Sequence, residues 1–358
     1  MSEINFDPIV LTQSLVQCAS ITPEDNGALK IVEDHLKTIG FDCYPLKFSG
    51  NNSYEVKNLF ATIGNKGKHF AYAGHTDVVP IGNESSWKYP PFSGKIENKK
   101  LFGRGSEDMK SSVACFISAT KRFLDKYKKL PGKISFIITG DEERDSVNGT
   151  PRILEWTSKH NYKFDHCLVG EPTSKNEVGD KVKVGRRGSI SFFFQVKGIQ
   201  GHTANSHLAE NSSHHLVNLL NSILEKPLDD GNENFLPSSV QIATIDIDNT
   251  VPNVIPELAR ATVNIRFNDI HSSASLIKWV DSKIEKIFSK LKNASCIYTF
   301  EANAESFLNK PGILYDIISK SISDITGKNS TPEQATDGGT SDARYIKNYC
   351  EVVELGIR

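Results

Sequence analysis

Up to Val169 the sequence alternates short β-rich runs with amphipathic helical stripes, and this alternation restricts the fold more than any other feature of the chain. Residues 41–48, 58–63, 68–79, 133–139 and 164–169 are apolar and β-branched or aromatic, bounded by Gly, Asn or Pro, and read as strands. Helices are predicted over residues 8–19 and 26–39, the latter stopped by Gly40, and over 151–160. Another starts near Asp108, where Val113, Phe116, Ile117 and Leu124 share one stripe. Residues 92–102 read as a hairpin turning near Asn98. Strands separated by helices predict an α/β fold with a doubly wound, largely parallel sheet.

The texture changes after Val184. A strand over 189–198, a helix over 208–225, strands over 239–247 and 259–267 and a helix over 273–291 make a β-α-β-β-α unit. At about 110 residues it is large enough for its own core, and it reads as an inserted α+β domain. From Ile297 the chain is expected to rejoin the first domain through a strand, a helix over 311–325, a turn at Asp337-Gly338-Gly339-Thr340 and a last strand over 350–355. The expected division is a discontinuous domain of residues 1–186 and 300–358 and an insert of residues 187–299, in keeping with a 358-residue chain.

Charge removes some partners. With 42 basic against 43 acidic residues the net charge is −1, which gives no electrostatic case for nucleic acid or an anionic membrane. Residues 1–7 have neither the basic nor the apolar region of a secretory leader, and no apolar run approaches the ~18 residues of a membrane span, so a cytoplasmic location is expected. Six scattered cysteines, with no Cys-x-x-Cys, suggest buried free thiols rather than a thiolate metal site or disulfides.

Chemistry concentrates at the predicted strand ends. In Gly74-His75-Thr76-Asp77-Val78-Val79-Pro80 the proline ends the strand, and residues two apart on a strand point the same way. His75 and Asp77 could thus share one side of the sheet, as an imidazole ligand and its orienting carboxylate do, although such a pair is commonly just a satisfied polar contact. Asp108 follows a Gly-rich turn at a helix start, where an ordinary N-cap is the plainer reading. Asp141-Glu142-Glu143 and Glu171 follow two further strands. One imidazole with several carboxylates at one sheet edge suits two divalent ions such as Zn, Co or Mn. At ~3.5–4 Å apart two ions can share a bridging carboxylate and a water activated as nucleophile. Of the adjacent pair Glu142 and Glu143, one can bind metal while the other faces that water as general base, a division of labour suited to amide hydrolysis.

Read in order, these segments, with Trp87, Pro90-Pro91-Phe92-Ser93-Gly94, Gly103-Arg104-Gly105 through Asp108-Met109-Lys110, Gly170-Glu171-Pro172-Thr173, Gly185-Arg186-Arg187-Gly188-Ser189, Gly201-His202-Thr203-Ala204 and Gly338-Gly339-Thr340-Ser341-Asp342, resemble the M20 metallopeptidase family. The resemblance implies two Zn or Co ions per chain, with His75 and Glu171 on one, Glu143 on the other, Asp108 bridging, Asp77 supporting His75 and Glu142 as base. It also implies a cis peptide between Asp108 and Met109. The run Arg186-Arg187-Gly188-Ser189 is similar to the desuccinylase branch, in which guanidinium groups would hold a free succinyl carboxylate. Asn253 and Thr340 match substrate-contacting positions, and His202 matches a histidine lent to the partner's site across a homodimer formed by the insert. The implied reaction is cleavage of N-succinyl-LL-2,6-diaminopimelate to succinate and LL-2,6-diaminopimelate, on the route to lysine. By contrast, His214 and His215 read as surface or core.

The resemblance departs in one place. Family members continue past the Glu-Leu-Gly strand into a further helix, preceded by a loop histidine that completes the second metal's ligands. This sequence stops at Glu354-Leu355-Gly356-Ile357-Arg358, and its last histidine is His271. The expectation is therefore a filled first metal site, a weak second one, and apolar surface uncovered near Val352 and Val353. Two rivals stand beside the main reading: another M20 activity, such as an aminoacylase or carboxypeptidase, and a shortened, catalytically weak or silent homologue acting as a binding protein.

Overall fold

A computed structural model describes residues 4–50, 52–127, 129–309, 312–327 and 331–357. The chain forms two compact units: one holds the described residues up to Val184 with those from Asn309 to Ala335 and from Ser341 onward, the other Gly185–Leu308 with Thr336–Thr340.

The first unit is built on an eight-stranded sheet. Its spatial order is Asp42–Gly50, Ser53–Ile63, Lys133–Thr139, His69–His75, His166–Val169, Glu351–Glu354, Lys181–Lys183 and Glu333–Ala335. The four strands from Lys133–Thr139 to Glu351–Glu354 run parallel, and the two outermost on the Asp42 side are antiparallel. Period-two alternation sends neighbouring residues to opposite faces. In Ser53–Ile63, Leu59 and Ala61 join one core with Phe136, Ile138 and Tyr72, covered by the helices Pro8–Val16, Ala28–Thr38 and Lys110–Lys126 through Leu15, Leu36, Val113 and Ile117. Phe60 points the other way, its ring 5.7 Å from Trp156 on helix Thr150–Lys159 and 4.8 Å from Tyr162. Helices on both faces make this an α/β layer, as the alternation in the sequence predicts.

The hairpin forms as Lys95–Glu97 paired with Lys100–Phe102, and Asn98 and Lys99 take positive φ at its turn. The strand from His69 is shorter than its sequence suggests. It ends at His75: Thr76 N still donates to the Thr139 carbonyl at 3.0 Å, but the chain then turns away and Val78 bridges Ile21 instead. Val352 and Val353, expected at an uncovered surface, are 1% and 2% exposed, because helices Ile313–Thr326 and Ala343–Ile346 pack on their strand. The helix expected over 311–325 runs Ile313–Thr326, and its predicted first residue, Pro311, lies outside the described residues.

The second unit is a four-stranded antiparallel sheet in the order Ser239–Asp246, Leu258–Phe267, Gly188–Lys197, Ser295–Ala304. Helices Ser212–Leu224 and Ser273–Phe288 pack Leu216, Leu219, Ile223, Leu276 and Val280 against Ile190, Phe192, Phe194, Val263 and Ile265. The strand expected to rejoin the first unit from Ile297 instead pairs with Gly188–Lys197. A short turn after the second helix brings it back antiparallel on its own sheet, and a strand's composition does not say which sheet receives it. Among the described residues no helix is long and apolar enough to cross a membrane, and all six cysteines are free.

Phe136 is fully buried, with ring centroids 5.4 Å from Phe41, 5.7 Å from Tyr72 and 5.4 Å from Phe116. Phe136→Ala should cost about 3–5 kcal/mol. Urea unfolding of the two proteins measures this, and a difference below about 1 kcal/mol would contradict the packing described.

Candidate metal centre

Parallel strands deliver their C-terminal ends to one edge, and three of them hand over to polar residues at that edge. His75 is the last residue of its strand and 1% exposed. Its Nδ1 lies 2.9 Å from the backbone carbonyl of Asp77 and 3.5 Å from Asp77 Oδ1, so the carbonyl is the nearer acceptor. A ring held at Nδ1 presents Nε2 as its ligand atom. Nε2 stands 3.1 Å from Asp108 Oδ1 and 3.9 Å from Glu171 Oε1.

Asp108 reaches this position from the loop before helix Lys110–Lys126, and its peptide bond to Met109 is cis. The N-cap position belongs to Met109, which makes no side-chain cap bond, so Asp108 is not an ordinary cap. Glu142 and Glu143 follow strand Lys133–Thr139, and both backbone amides donate to Asp77, at 3.2 Å to Oδ1 and 3.1 Å to Oδ2. Consecutive residues then diverge. Glu143 joins His75 and Asp108, and Glu142 joins His75 and Glu171, in two groups whose ligand atoms lie within 4.8 Å of one another. His75 belongs to both, and the nitrogen and oxygen donor set fits borderline or hard divalent ions.

The electrostatics agree with that fit. Burial pushes Glu142 well above the usual carboxylate range, and the charge of Glu171 adds to the rise. Burial also raises Glu143. For His75 burial opposes protonation, but the Asp108 hydrogen bond and the carboxylates of Asp77 and Glu171 outweigh it and lift the imidazole well above its ordinary value. Acids crowded this closely hold protons where a cation could replace them.

Residues not singled out from the sequence also shape the edge. Thr22 donates its hydroxyl to Asp77 Oδ2 at 2.8 Å. Asp342 is buried, accepts a 2.6 Å bond from Thr150 and is pushed up to about 6, chiefly by burial. Arg344 lowers the proton affinity of Glu142 that burial has raised. The Asp-Ala-Arg following Gly-Gly-Thr-Ser was the available signal.

The remaining sequence candidates lie in the second unit. Arg186 is buried and donates from Nη1 to the Gly339 carbonyl at 2.8 Å, beside the half-buried Thr340. Arg187 Nε has no hydrogen-bond partner among the described residues, and Arg187 depresses the pKa of Arg266 on the neighbouring strand beyond what burial does. Ser189 is buried, with Asn264 Nδ2 3.5 Å from its hydroxyl. His202 and Asn253 are exposed, with Asn253 Nδ2 3.4 Å from His202 Nε2, and His202 Nδ1 accepts from the Ala204 amide at 3.1 Å. His214 is exposed and His215 pairs with Glu210.

Residues 71–358 match the family described as peptidase family M20/M25/M40. The chain belongs to that family. Curated relatives named succinyl-diaminopimelate desuccinylase include one from Parvibaculum lavamentivorans, 44% identical over 98% of this chain and 88% of its own length. Another, from Ehrlichia chaffeensis, is 45% identical over 99% and 90%. Among solved structures, Bacillus cereus aminopeptidase PepT superposes with a TM-score of 0.77 at 17% identity, over 98% of this chain and 90% of that one. A Bacillus subtilis M20 protein described as a dinuclear metal-binding peptidase superposes with a TM-score of 0.67 at 14% identity, over 98% and 88%. At those identities the solved structures establish the M20 fold, and within that fold His75, Asp108, Glu142, Glu143 and Glu171 of this chain converge.

Divalent ions should stabilise the metal-free protein, by about 2.7 kcal/mol at a hundredfold excess over Kd. Thermal unfolding with added Zn, Co or Mn measures the effect, and His75→Ala should abolish most of it. An unchanged melting temperature in the unmutated chain would count against a metal centre here.

Proposed function

We propose that this chain is a metal-dependent amide hydrolase that converts N-succinyl-LL-2,6-diaminopimelate to succinate and LL-2,6-diaminopimelate, in the cytoplasm on the route to lysine and diaminopimelate. The observation that carries the reading is the pair Glu142 and Glu143. Adjacent in sequence and anchored on one carboxylate, they enter two different groups around His75, which supports the division between a base and a ligand. The names of the relatives supply the substrate.

His75, Asp108, Glu143 and Glu171 would hold two divalent ions, Zn or Co. His75 is the one imidazole in either group among the described residues, and the position it ligates is the tighter of the two. When bound, such ions would supply Lewis acidity toward the amide carbonyl and lower the pKa of a water. Glu142 takes the proton from the attacking water and returns it to the departing amine, work suited to a carboxyl whose burial raises its proton affinity. Asp77 fixes the His75 ring and the two glutamate amides. Arg186, Arg187 and Ser189 meet the succinyl carboxylate. The free Nε of Arg187 and its depression of Arg266 support a site for negative charge, because clustered guanidinium groups are relieved by an anion. Asn253 and Thr340 contact substrate. His202 acts in the partner's site of a homodimer formed through the second unit, and its exposure supports that role.

Three experiments test this. With metals loaded, Glu142→Gln should lower kcat by roughly 10²–10⁴ while metal content stays the same. Succinylated diaminopimelate should be turned over far faster than acetylated amino acids, and the reverse preference would favour an aminoacylase. Mixing inactive His202→Ala and Glu142→Ala chains should restore part of the activity, because an exchanged dimer carries one intact site. No recovery after verified exchange would refute action across the dimer.

A further inference from the structure

The segment after the first helix lies against the loop that follows His75. Ser20 Oγ donates to the Thr76 carbonyl at 2.6 Å, Val78 N donates to the Ser20 carbonyl at 2.9 Å, and Thr22 N donates to the Val78 carbonyl at 3.3 Å. Ile21 and Val78 form a parallel bridge. Lys110, fully buried two residues past Asp108, donates from Nζ to the Cys18 carbonyl at 2.8 Å and ties the start of the same segment down. These bonds bring the Thr22 hydroxyl to Asp77 Oδ2 at 2.8 Å, with Thr22 7% and Asp77 1% exposed.

Among the described residues, Thr22 and the two glutamate amides donate to the Asp77 carboxylate. Oδ1 accepts from Glu142 N at 3.2 Å, while Oδ2 accepts from Glu143 N at 3.1 Å and from Thr22 Oγ1 at 2.8 Å. The hydroxyl bond is the shortest of the three. It is also the one whose donor is anchored independently of the glutamates, so it fixes the rotation of the carboxylate against which both amides are placed. Without it Oδ2 keeps one longer bond in a buried setting, and the carboxylate can turn toward other donors.

We propose that Thr22 is a positioning residue for the reaction: through Asp77 its hydroxyl sets the backbone of Glu142 and Glu143, and thereby the reach of the base and of one ligand. The inference rests on the roles given to those two residues above. It assigns Thr22 no contact with substrate or metal. A displacement near 1 Å at such a site is enough to cost about 10²-fold in rate, and loss of a supporting hydrogen bond around metal ligands commonly costs ~10–100-fold.

The test compares the full-length chain with Thr22→Val, which keeps the shape without the donor, and Thr22→Ser, which keeps the donor. Two readouts are taken: backbone amide exchange of residues 141–145 in metal-free protein, and kcat and KM for succinylated diaminopimelate with metals loaded. Thr22→Val should accelerate exchange in that segment severalfold and lower kcat about tenfold with KM nearly unchanged, and Thr22→Ser should restore both. Wild-type exchange and kcat in Thr22→Val, or equal impairment in Thr22→Ser, would overturn the inference. A wild-type chain without desuccinylase activity would instead refute the proposed function, and the exchange readout would still decide the role of Thr22. If Thr22→Val does not fold, Thr22→Ala takes its place. Failure of both to fold would show that the hydroxyl supports the fold rather than the site, which also overturns the inference.

Discussion

Like charges packed at one sheet edge are the constraint on which this molecule turns. Asp77, Asp108, Glu142, Glu143 and Glu171 gather around one imidazole. Burial deprives Glu142 and Glu171 of the water that would screen them, so the protein must neutralise its own carboxylates. The raised proton affinities of His75 and Glu142 and the backbone amides aimed at Asp77 both answer that need. A raised proton affinity at such groups suits the edge to exchange bound protons for a divalent cation. The sheet bears this strain because its parallel strands are interior and covered on both faces, where the core residues from Leu15 to Ile138 hold the strand ends in place.

Most of the edge was legible in the sequence because strand ends in a parallel sheet fall together whatever the loops do. His75, Glu143 and Glu171 each follow a run whose β character is local, and Asp108 precedes a helix with a clear apolar stripe. What could not be read was how the chain turns once it leaves a strand. Asp77 was placed beside His75 by strand alternation, yet Asp77 lies outside the strand and the nearer contact is its carbonyl. Thr22 lies 55 residues from the carboxylate it bonds, and nothing in a stretch such as Ser20-Ile21-Thr22-Pro23 names a distant partner. The strand Ser295–Ala304 shows the same limit at larger scale, since its pattern reports exposure and not the sheet it will join.

The proposed function divides the chemistry between the two units. The first gathers ligand atoms on a rigid edge, a geometry that demands side chains held by packing and hydrogen bonds. The second carries Arg186, Arg187, Arg266 and the exposed His202 and Asn253 on a separate core of its own. On that proposal, substitution in a sheet that holds none of the candidate metal ligands would change substrate preference while leaving the hydrolytic groups untouched.

The main excursion of the chain, Gly185–Leu308, enters and leaves the second unit at neighbouring points. Gly185–Arg186 pairs antiparallel with Phe307–Leu308, and just outside that pair Asn309 N donates to the Val184 carbonyl at 2.8 Å. Seen from the first unit, the stretch between those residues is a long excursion that starts and finishes within one hydrogen bond. Such a junction behaves like a cloning site in protein form. Genetic exchange of everything between Val184 and Asn309 would leave the host backbone with the same short gap to close, and the Thr336–Thr340 segment, which belongs to the second unit, would be the one stretch an incoming domain must still match.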